Sequence, residues 1–220
     1  MKDYSYILFD LDGTISDSGR GITNSVRYSL KKFGIEEEDF EKLKRFVGPP
    51  LYASYEKYYG FTHEQAVRAV EYYREYYNAG GIFELELYDG ITDLLKCLKE
   101  SGKKIILATS KPEIYAERIA EHFGFREYFD NISGALLDGS RIEKADIITY
   151  AIGRVGITDI VDCIMIGDRS YDVIGAKAFG MDSIGVTYGY GTRAELEQAG
   201  ATYIADSAQA IKKLLIQNNS

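Results

Sequence analysis

The chain has 220 residues, of which 45% are hydrophobic, and a formal net charge of -8, which suits one large domain or two modest ones. The acidic balance argues against a nucleic-acid polymer or an anionic membrane surface as the main partner, because both bind basic protein faces. The chain has two isolated cysteines, Cys97 and Cys163, and two histidines. We therefore expect neither a disulfide framework nor a zinc site. With no signal-like segment and no apolar run long enough to span a membrane, we expect a cytoplasmic protein.

The first predicted element is a strand over residues 4–9, "YSYILF", which runs directly into "DLDGT". Asp10 and Asp12 are two residues apart, so their side chains project on the same side while the backbone stays extended. Gly13 then permits a sharp turn at the carboxyl end of the strand, where open α/β sheets place their ligands. Crowded carboxylates raise a pKa or recruit a cation. A solvated Asp-Gly turn is the alternative interpretation.

The stretch that follows, residues 16–85, shows helical periodicity only. Its apolar repeats with helical spacing end at Gly34, before Gly48-Pro49-Pro50 and before Gly80-Gly81. Glycine and proline at these places are typical of helix ends. The pattern therefore predicts an all-helical cap domain at 16–85, inserted into a core domain formed by 1–15 and 86–220.

From about residue 88 onward, short β-rich runs alternate with helical ones. The predicted strands are "KKIILAT", "DCIMIG", "DSIGVT" and "ATYIA". Near-continuous apolar strands that alternate with helices indicate a buried parallel sheet covered on both faces. The predicted fold class is therefore α/β, a Rossmann-like parallel sheet core with the helical insert.

Two further motifs supply polar groups, one at the end of a predicted strand and one at the start of a predicted helix. In "ILATSKP", Thr109 and Ser110 end a buried strand and Pro112 opens a helix, so a hydroxyl and free helix N–H groups could bind an anion. An ordinary helix cap explains the same residues. In "DGSRIEKADI", Lys144 begins a predicted helix, and Arg141 competes with it for the cationic role; a solvated surface charge is the plain alternative.

The last motif, "CIMIGDRSYD", resembles the first in that an apolar strand delivers an acid at its tip. Asp168 follows the strand, and Asp172 comes one helical turn later. A helix cap with an acid in the first turn would look the same. The four motifs together favour a shared function, since three of them lie at predicted strand ends of one parallel sheet.

These motifs, in this order, resemble those of the haloacid dehalogenase superfamily of phosphatases, in its phosphoglycolate phosphatase-like and 5′-nucleotidase-like branch with a helical cap. The resemblance implies that Asp10 is a nucleophile that forms an aspartyl-phosphate and that Asp12 is the general acid and then the general base. It also implies that Thr109, Ser110 and Lys144 bind the phosphoryl oxygens.

A magnesium ion follows from the same resemblance, with Asp10, Asp168 and the backbone carbonyl of Asp12 as its ligands. Asp172 would support the metal shell or Lys144. Physical chemistry agrees, because a carboxylate approaches a phosphate dianion only where cations cancel the repulsion.

The substrate is marked less clearly than the chemistry. Related phosphoglycolate phosphatases usually carry Asn after the second-motif Thr, whereas Ser110 stands here, which favours a 5′-nucleotide. Phosphoglycolate is the alternative, followed by a sugar-phosphate mutase reaction. Arg45 is the candidate specificity residue, and the tyrosines of the insert are expected mainly to pack its helices. We expect a small phosphorylated metabolite as partner of a monomer or weak dimer.

One rival mechanism uses a cysteine. Cys163 and Arg169 have the C-x5-R spacing of cysteine-dependent tyrosine phosphatases. Because "IMIG" is predicted to be a buried strand, Cys163 would lie inside the sheet with nothing beside it to lower its pKa. The aspartate mechanism is therefore preferred.

Overall fold

The computed structural model describes residues 2–216. By its internal contacts the chain divides into two compact units, one that runs to Ser16 and resumes at Leu87, and a second formed by Asp17–Glu86. The predicted boundaries at 15/16 and 85/86 fall one residue before these. That the two units act as core and cap domains stays a prediction.

The strands of the described chain are β1 (Tyr6–Phe9), β2 (Ser16–Asp17), β3 (Glu86–Leu87), β4 (Lys104–Pro112), β5 (Asn131–Ala135), β6 (Cys163–Gly167), β7 (Asp182–Val186) and β8 (Tyr203–Ala205). The helices are α1 (Gly19–Lys32), α2 (Phe40–Lys44), α3 (Leu51–Tyr59), α4 (His63–Ala79), α5 (Ile91–Glu100), α6 (Glu113–His122), α7 (Lys144–Val155), α8 (Ser170–Lys177), α9 (Arg193–Ala199) and α10 (Ala208–Leu215). The short strands β2 and β3 pair with each other where the chain passes between the two units.

The first unit is built on a six-stranded sheet with the order β5-β4-β1-β6-β7-β8. All of its strand pairs are parallel, and α5 to α10 each pack against at least one strand. The inner positions of β1, β4 and β6 are apolar and fully buried, as expected for a parallel sheet covered by helices. The predicted fold class is confirmed.

Strand register brings several sequence motifs to one edge of the sheet. Phe9 at the end of β1 is level with Leu107 of β4 and Ile166 of β6. The chain winds from β1 outward to β4 and β5, then returns to the other side of β1 as β6. Open α/β sheets bind ligands at such a switch point, at the carboxyl ends of the strands. The residues that follow β1, β4 and β6 therefore meet there.

Strand β5 was missed in the sequence because its residues, "NISGA", are not a typical apolar run. The two polar side chains are buried and satisfy each other, since Ser133 Oγ donates to Asn131 Oδ1 at 2.6 Å. Gly134 is required by close packing, because a Cβ there would lie 2.6 Å from the carbonyl oxygen of Lys111. Tertiary context thus decides the strand where local propensity does not.

The second unit consists of α1 to α4 and packs largely through aromatic rings. Tyr55 is fully buried with its ring centroid 4.9 Å from that of Phe46, and Tyr73 stacks on Tyr77 at 5.3 Å. These contacts follow the packing interpretation of the tyrosines. No helix within residues 2–216 is both long and apolar enough to cross a membrane.

Candidate active site

The acidic turn after β1 closes tightly against the end of β6. Gly13 has φ +82°, and a Cβ there would lie 2.1 Å from Oδ2 of Asp168. Glycine is therefore required here both by the backbone conformation and by the lack of space for a side chain. The turn brings Asp10, which follows β1, close to Asp168, which follows β6.

Three carboxylates converge at this point. Asp10, Asp168 and Asp172 are buried, and each offers an oxygen within 4.8 Å of the others. Burial, followed by the charges of Asp172 and Asp10, raises the pKa of Asp168 well above its ordinary value. A bound cation would stabilise the charged form of this carboxylate, because it would offset the repulsion among the three acids.

The oxygens of Asp168 show where a cation would fit. Oδ2 accepts a hydrogen bond from the backbone N–H of Tyr190 at 2.7 Å. Oδ1 is buried and has no hydrogen-bond partner within residues 2–216. A buried, unsatisfied carboxylate oxygen among other acids is the donor type that a hard divalent cation prefers. The residues present therefore fit a magnesium ion.

Lys144, at the start of α7, is buried among these acids. Its Nζ lies 2.9 Å from Asp10 Oδ1 and 2.8 Å from Asp172 Oδ1, and it donates to the carbonyl oxygen of Ala108 at 2.9 Å. Burial alone would lower the pKa of Lys144, but the two carboxylates raise it above its ordinary value. The side chain is therefore a fixed positive charge next to Asp10.

Asp172 differs from the other two acids because both of its oxygens are engaged. Oδ1 faces Lys144, and Oδ2 accepts the backbone N–H of Arg169 at 3.1 Å. Burial raises the pKa of Asp172, and Lys144 opposes that shift. This arrangement suits the orientation of Lys144 better than direct contact with a metal.

The second motif ends β4 at the same edge. Thr109 is buried, and its Oγ1 accepts the backbone N–H of Lys111 at 3.2 Å, which leaves its hydroxyl proton for an anion. Ser110, the next residue of β4, is half-buried. The predicted helix begins at Glu113, one residue after Pro112, which caps it.

Two contributors to the site were missed in the sequence. Lys111 is buried, and its Nζ lies 3.1 Å from Asp12 Oδ2. The sequence feature that could have indicated it is its place in "TSKP", two residues after Thr109. The loop after β7, "TYGYGT", contacts the acidic turn, because Tyr188 donates its hydroxyl proton to the carbonyl oxygen of Thr14 at 2.9 Å. A glycine-rich loop after a buried strand was the signal there.

The two arginines considered in the sequence lie elsewhere. Arg141 pairs with Glu113 at 3.1 Å and donates to the carbonyl oxygen of Gly134 at 2.8 Å, so Lys144, and not Arg141, reaches the acids. Arg45 is exposed in the second unit at the end of α2, with its guanidinium carbon 5.9 Å from the ring centroid of Tyr58.

The cysteine alternative finds no support in the geometry. Cys163 begins β6 and is fully buried, at the opposite end of the strand from Asp168. Burial, reinforced by nearby acids, raises the pKa of its thiol to about 11. Arg169 donates to Glu195 at 3.0 Å. A cysteine nucleophile needs the reverse conditions, a lowered pKa and an accessible thiolate.

Comparison with known proteins identifies the family of the chain. The family model described as haloacid dehalogenase-like hydrolase matches residues 7–186. A 5′-nucleotidase of Pseudomonas aeruginosa is 41% identical over 212 residues, 96% of either chain. The tyrosine-protein kinase PtkA of Mycobacterium tuberculosis is 38% identical over 202 residues, 92% of this chain and 68% of its own. The crystal structure of a "predicted phosphatase" from Clostridium acetobutylicum has 50% identity and a TM-score of 0.93, and the match covers 98% of this chain and 100% of that one. The chain therefore belongs to the haloacid dehalogenase-like hydrolase family and is an enzyme of its phosphatase group.

Proposed function

We propose that this protein is a magnesium-dependent phosphomonoesterase that works through an aspartyl-phosphate on Asp10, with a 5′-nucleotide as its preferred substrate. The observation that carries the proposal is the position of Lys144, buried between Asp10 and Asp172 at the switch point of the sheet. A buried cation against a buried carboxylate is costly to maintain. It is explained by a reaction in which that carboxylate must approach a phosphate.

Asp10, Asp168 and the backbone carbonyl of Asp12 would hold the magnesium ion. When bound, the ion neutralises negative charge on the phosphoryl group. Asp172 orients Lys144, as its contact at 2.8 Å supports. Thr109, Ser110 and Lys144 would hold the phosphoryl oxygens, since they supply two hydroxyls and a positive charge at one strand edge.

In the first step, an oxygen of Asp10 forms a bond to phosphorus while the bond from phosphorus to the leaving oxygen breaks. The protonated carboxyl of Asp12 gives its proton to that oxygen, so an alcohol departs and Asp12 becomes a carboxylate. Lys144 holds the phosphoryl group against Asp10 during the transfer.

In the second step, water attacks phosphorus and the bond between Asp10 and phosphorus breaks. Asp12 takes one proton of that water, which restores its protonated form, and the remaining hydroxyl leaves as part of inorganic phosphate. Asp10 is free again as a carboxylate.

The choice of substrate rests on two observations. Ser110 stands where related phosphoglycolate phosphatases usually carry Asn, and a relative 41% identical is named 5′-nucleotidase. Phosphoglycolate is the second candidate, because several less similar relatives carry the name phosphoglycolate phosphatase. A sugar-phosphate mutase reaction is the third, since the same aspartyl-phosphate could return its phosphoryl group to a sugar hydroxyl.

The experiment is a substrate panel. Phosphate release is measured in magnesium from 5′-nucleotides, 2-phosphoglycolate and hexose phosphates, with Asp10→Asn as the blank. A higher kcat/KM for 5′-nucleotides supports the proposal. A preference for 2-phosphoglycolate would contradict the proposed substrate but not the proposed mechanism. Activity in Asp10→Asn equal to that of the wild type would contradict the mechanism.

Three further expectations stay predictions. The paucity of cysteines favours a cytoplasmic location, and the acidic composition favours a small metabolite over nucleic acid or a membrane surface as the partner. A monomer or weak dimer is expected, and sedimentation at several concentrations tests it.

A further inference from the structure

Each of the two acids in the first motif has its own buried lysine. Lys144 contacts Asp10, and Lys111 contacts Asp12 with its Nζ 3.1 Å from Oδ2. The side chain of Lys111 is only 5% exposed and that of Asp12 only 11%. The mechanism above assigns a task to Lys144 and none to Lys111.

The fold fixes the backbone of Lys111 from two directions. Its N–H donates to Thr109 Oγ1 at 3.2 Å. Its carbonyl oxygen packs so closely on Gly134 that a Cβ there would lie 2.6 Å away. Thr109 and Lys111 are buried, while Ser110 between them is half-exposed, so the first and third residues of this strand end turn inward together. The end of β4 therefore fixes where the side chain of Lys111 begins, and the contact with Asp12 locates its ammonium group.

The two oxygens of Asp12 are left unequal by this contact. Oδ2 faces Lys111, whereas Oδ1 is buried and has no hydrogen-bond partner within the described residues 2–216. A contact between an ammonium group and one oxygen restricts the rotamer of the carboxyl group. The other oxygen is then the one available for proton transfer.

We propose that Lys111 is the positioning residue for Asp12: it holds Oδ2 so that Oδ1 carries the proton to the leaving oxygen. The proposal rests on the function proposed above, in which Asp12 is the general acid. The bond changes are those of the first step, with the proton passing from Asp12 Oδ1 to the leaving oxygen. Lys111 itself keeps its protons throughout.

The consequence is a dependence on the leaving group. An alkoxide is strongly basic and needs the proton of Asp12 as it departs, whereas 4-nitrophenolate is a weak base and leaves without one. Loss of Lys111 should therefore harm alkyl phosphates far more than 4-nitrophenyl phosphate. The relevant constant is kcat/KM, because it reports steps up to release of the leaving group and excludes hydrolysis of the aspartyl-phosphate.

The test compares Lys111→Met with wild type on the best alkyl phosphate of the panel, 5′-AMP or 2-phosphoglycolate, and on 4-nitrophenyl phosphate. General acid catalysis contributes about 100-fold or more, so kcat/KM for the alkyl phosphate should fall by about 100-fold. For 4-nitrophenyl phosphate it should fall by less than about 5-fold. Lys111→Arg, which keeps the charge, should recover part of the alkyl activity. Lys96→Met is the matched control, since Lys96 is an exposed lysine on α5.

Equal losses on both substrates would overturn the proposal, because a general distortion of the site affects both. Should Lys111→Met not fold, as judged by circular dichroism, Lys111→Gln carries the same comparison with a polar side chain. Asp12→Asn separates the two proposals. If Asp12→Asn shows the leaving-group dependence and the Lys111 variants do not, Lys111 has no positioning role. If Asp12→Asn also loses both activities equally, the assignment of Asp12 as general acid fails.

Discussion

The two units of the chain differ in where they place charge. In the first unit, three aspartates and two lysines are buried at one edge of the sheet: Asp10, Asp168, Asp172, Lys111 and Lys144. In the second unit, no charged side chain among the described residues is buried, and its interior is apolar, aromatic or hydroxylated. Buried charges cost free energy unless they are paired. Among the described residues, the buried charges that the proposed chemistry requires are therefore confined to the first unit.

Removal of the Asp10 carboxylate from the charged cluster of the first unit should have the largest effect on activity. We expect Asp10→Asn to lower kcat by about 10⁴-fold or more, because the amide is a poor nucleophile toward phosphorus. The change keeps the size of the side chain, so circular dichroism should show the native fold. Turnover within ten-fold of the wild type would remove Asp10 as the nucleophile.

Removal of divalent cations should have a similarly large effect on activity. EDTA should abolish turnover, and added Mg²⁺ should restore it. A binding measurement is independent of turnover: Mg²⁺ at 100 times its Kd should stabilise the folded protein by about 2.7 kcal/mol and raise the thermal midpoint. Asp168→Asn should lose that increase, and an increase equal to the wild type would argue against Asp168 as a ligand.

Lys144→Met should reduce both activity and stability. The variant leaves Asp10 and Asp172 buried without their shared cation, and breaking a buried pair costs about 3–5 kcal/mol of unfolding free energy. Activity should fall by about 10²- to 10³-fold, as for other removed electrostatic contacts to a transferring group. Urea unfolding checks the first expectation and steady-state kinetics the second. Lys96→Met is again the control, and a stability equal to that control would contradict the buried-pair account.

The smallest expected effect lies in the second unit. Arg45→Ala should raise KM for the preferred substrate by roughly ten-fold, the equivalent of about 1.4 kcal/mol, and leave kcat/KM for 4-nitrophenyl phosphate unchanged. Stability should change by no more than about 1 kcal/mol, since Arg45 is exposed and its contact with Tyr58 is a cation–π contact at the surface. Arg68→Ala is the matched control, because Arg68 lies 5.6 Å from the ring centroid of Tyr72 in the same unit. Equal KM values for the two variants would remove Arg45 as a specificity residue.

Local pattern was sufficient for the parts of the site that follow apolar strands. Asp10 and Asp168 stand out because an acid after a buried strand faces the carboxyl edge of a parallel sheet. Lys144 was predicted only through its family resemblance, since a lysine at a helix start is ordinarily exposed. Its pairing with two carboxylates depends on how α7 packs against β4, β5 and α8, which no local pattern contains.

The elements that escaped prediction are the ones that tertiary contacts define. Strand β5 carries polar residues that satisfy each other only once buried. In the sequence, Lys111 stands next to a predicted helix start, and nothing local marks it as part of the site. Its ion pair with Asp12 joins residues that are 99 positions apart in the sequence. The contact of Tyr188 with Thr14 joins the chain over an even longer interval. The spacing of motifs along the chain does not predict such long-range contacts.

The central claim is that phosphoryl transfer passes through Asp10, and trapping the phosphorylated enzyme tests it most directly. Asp12→Asn should still accept phosphate from radiolabelled 4-nitrophenyl phosphate, whose leaving group needs no proton, but should hydrolyse the intermediate slowly. After an acid quench, the account predicts a base-labile label that peptide mass spectrometry locates on Asp10. A label on another residue, or none while nitrophenol is released in a burst, would contradict it.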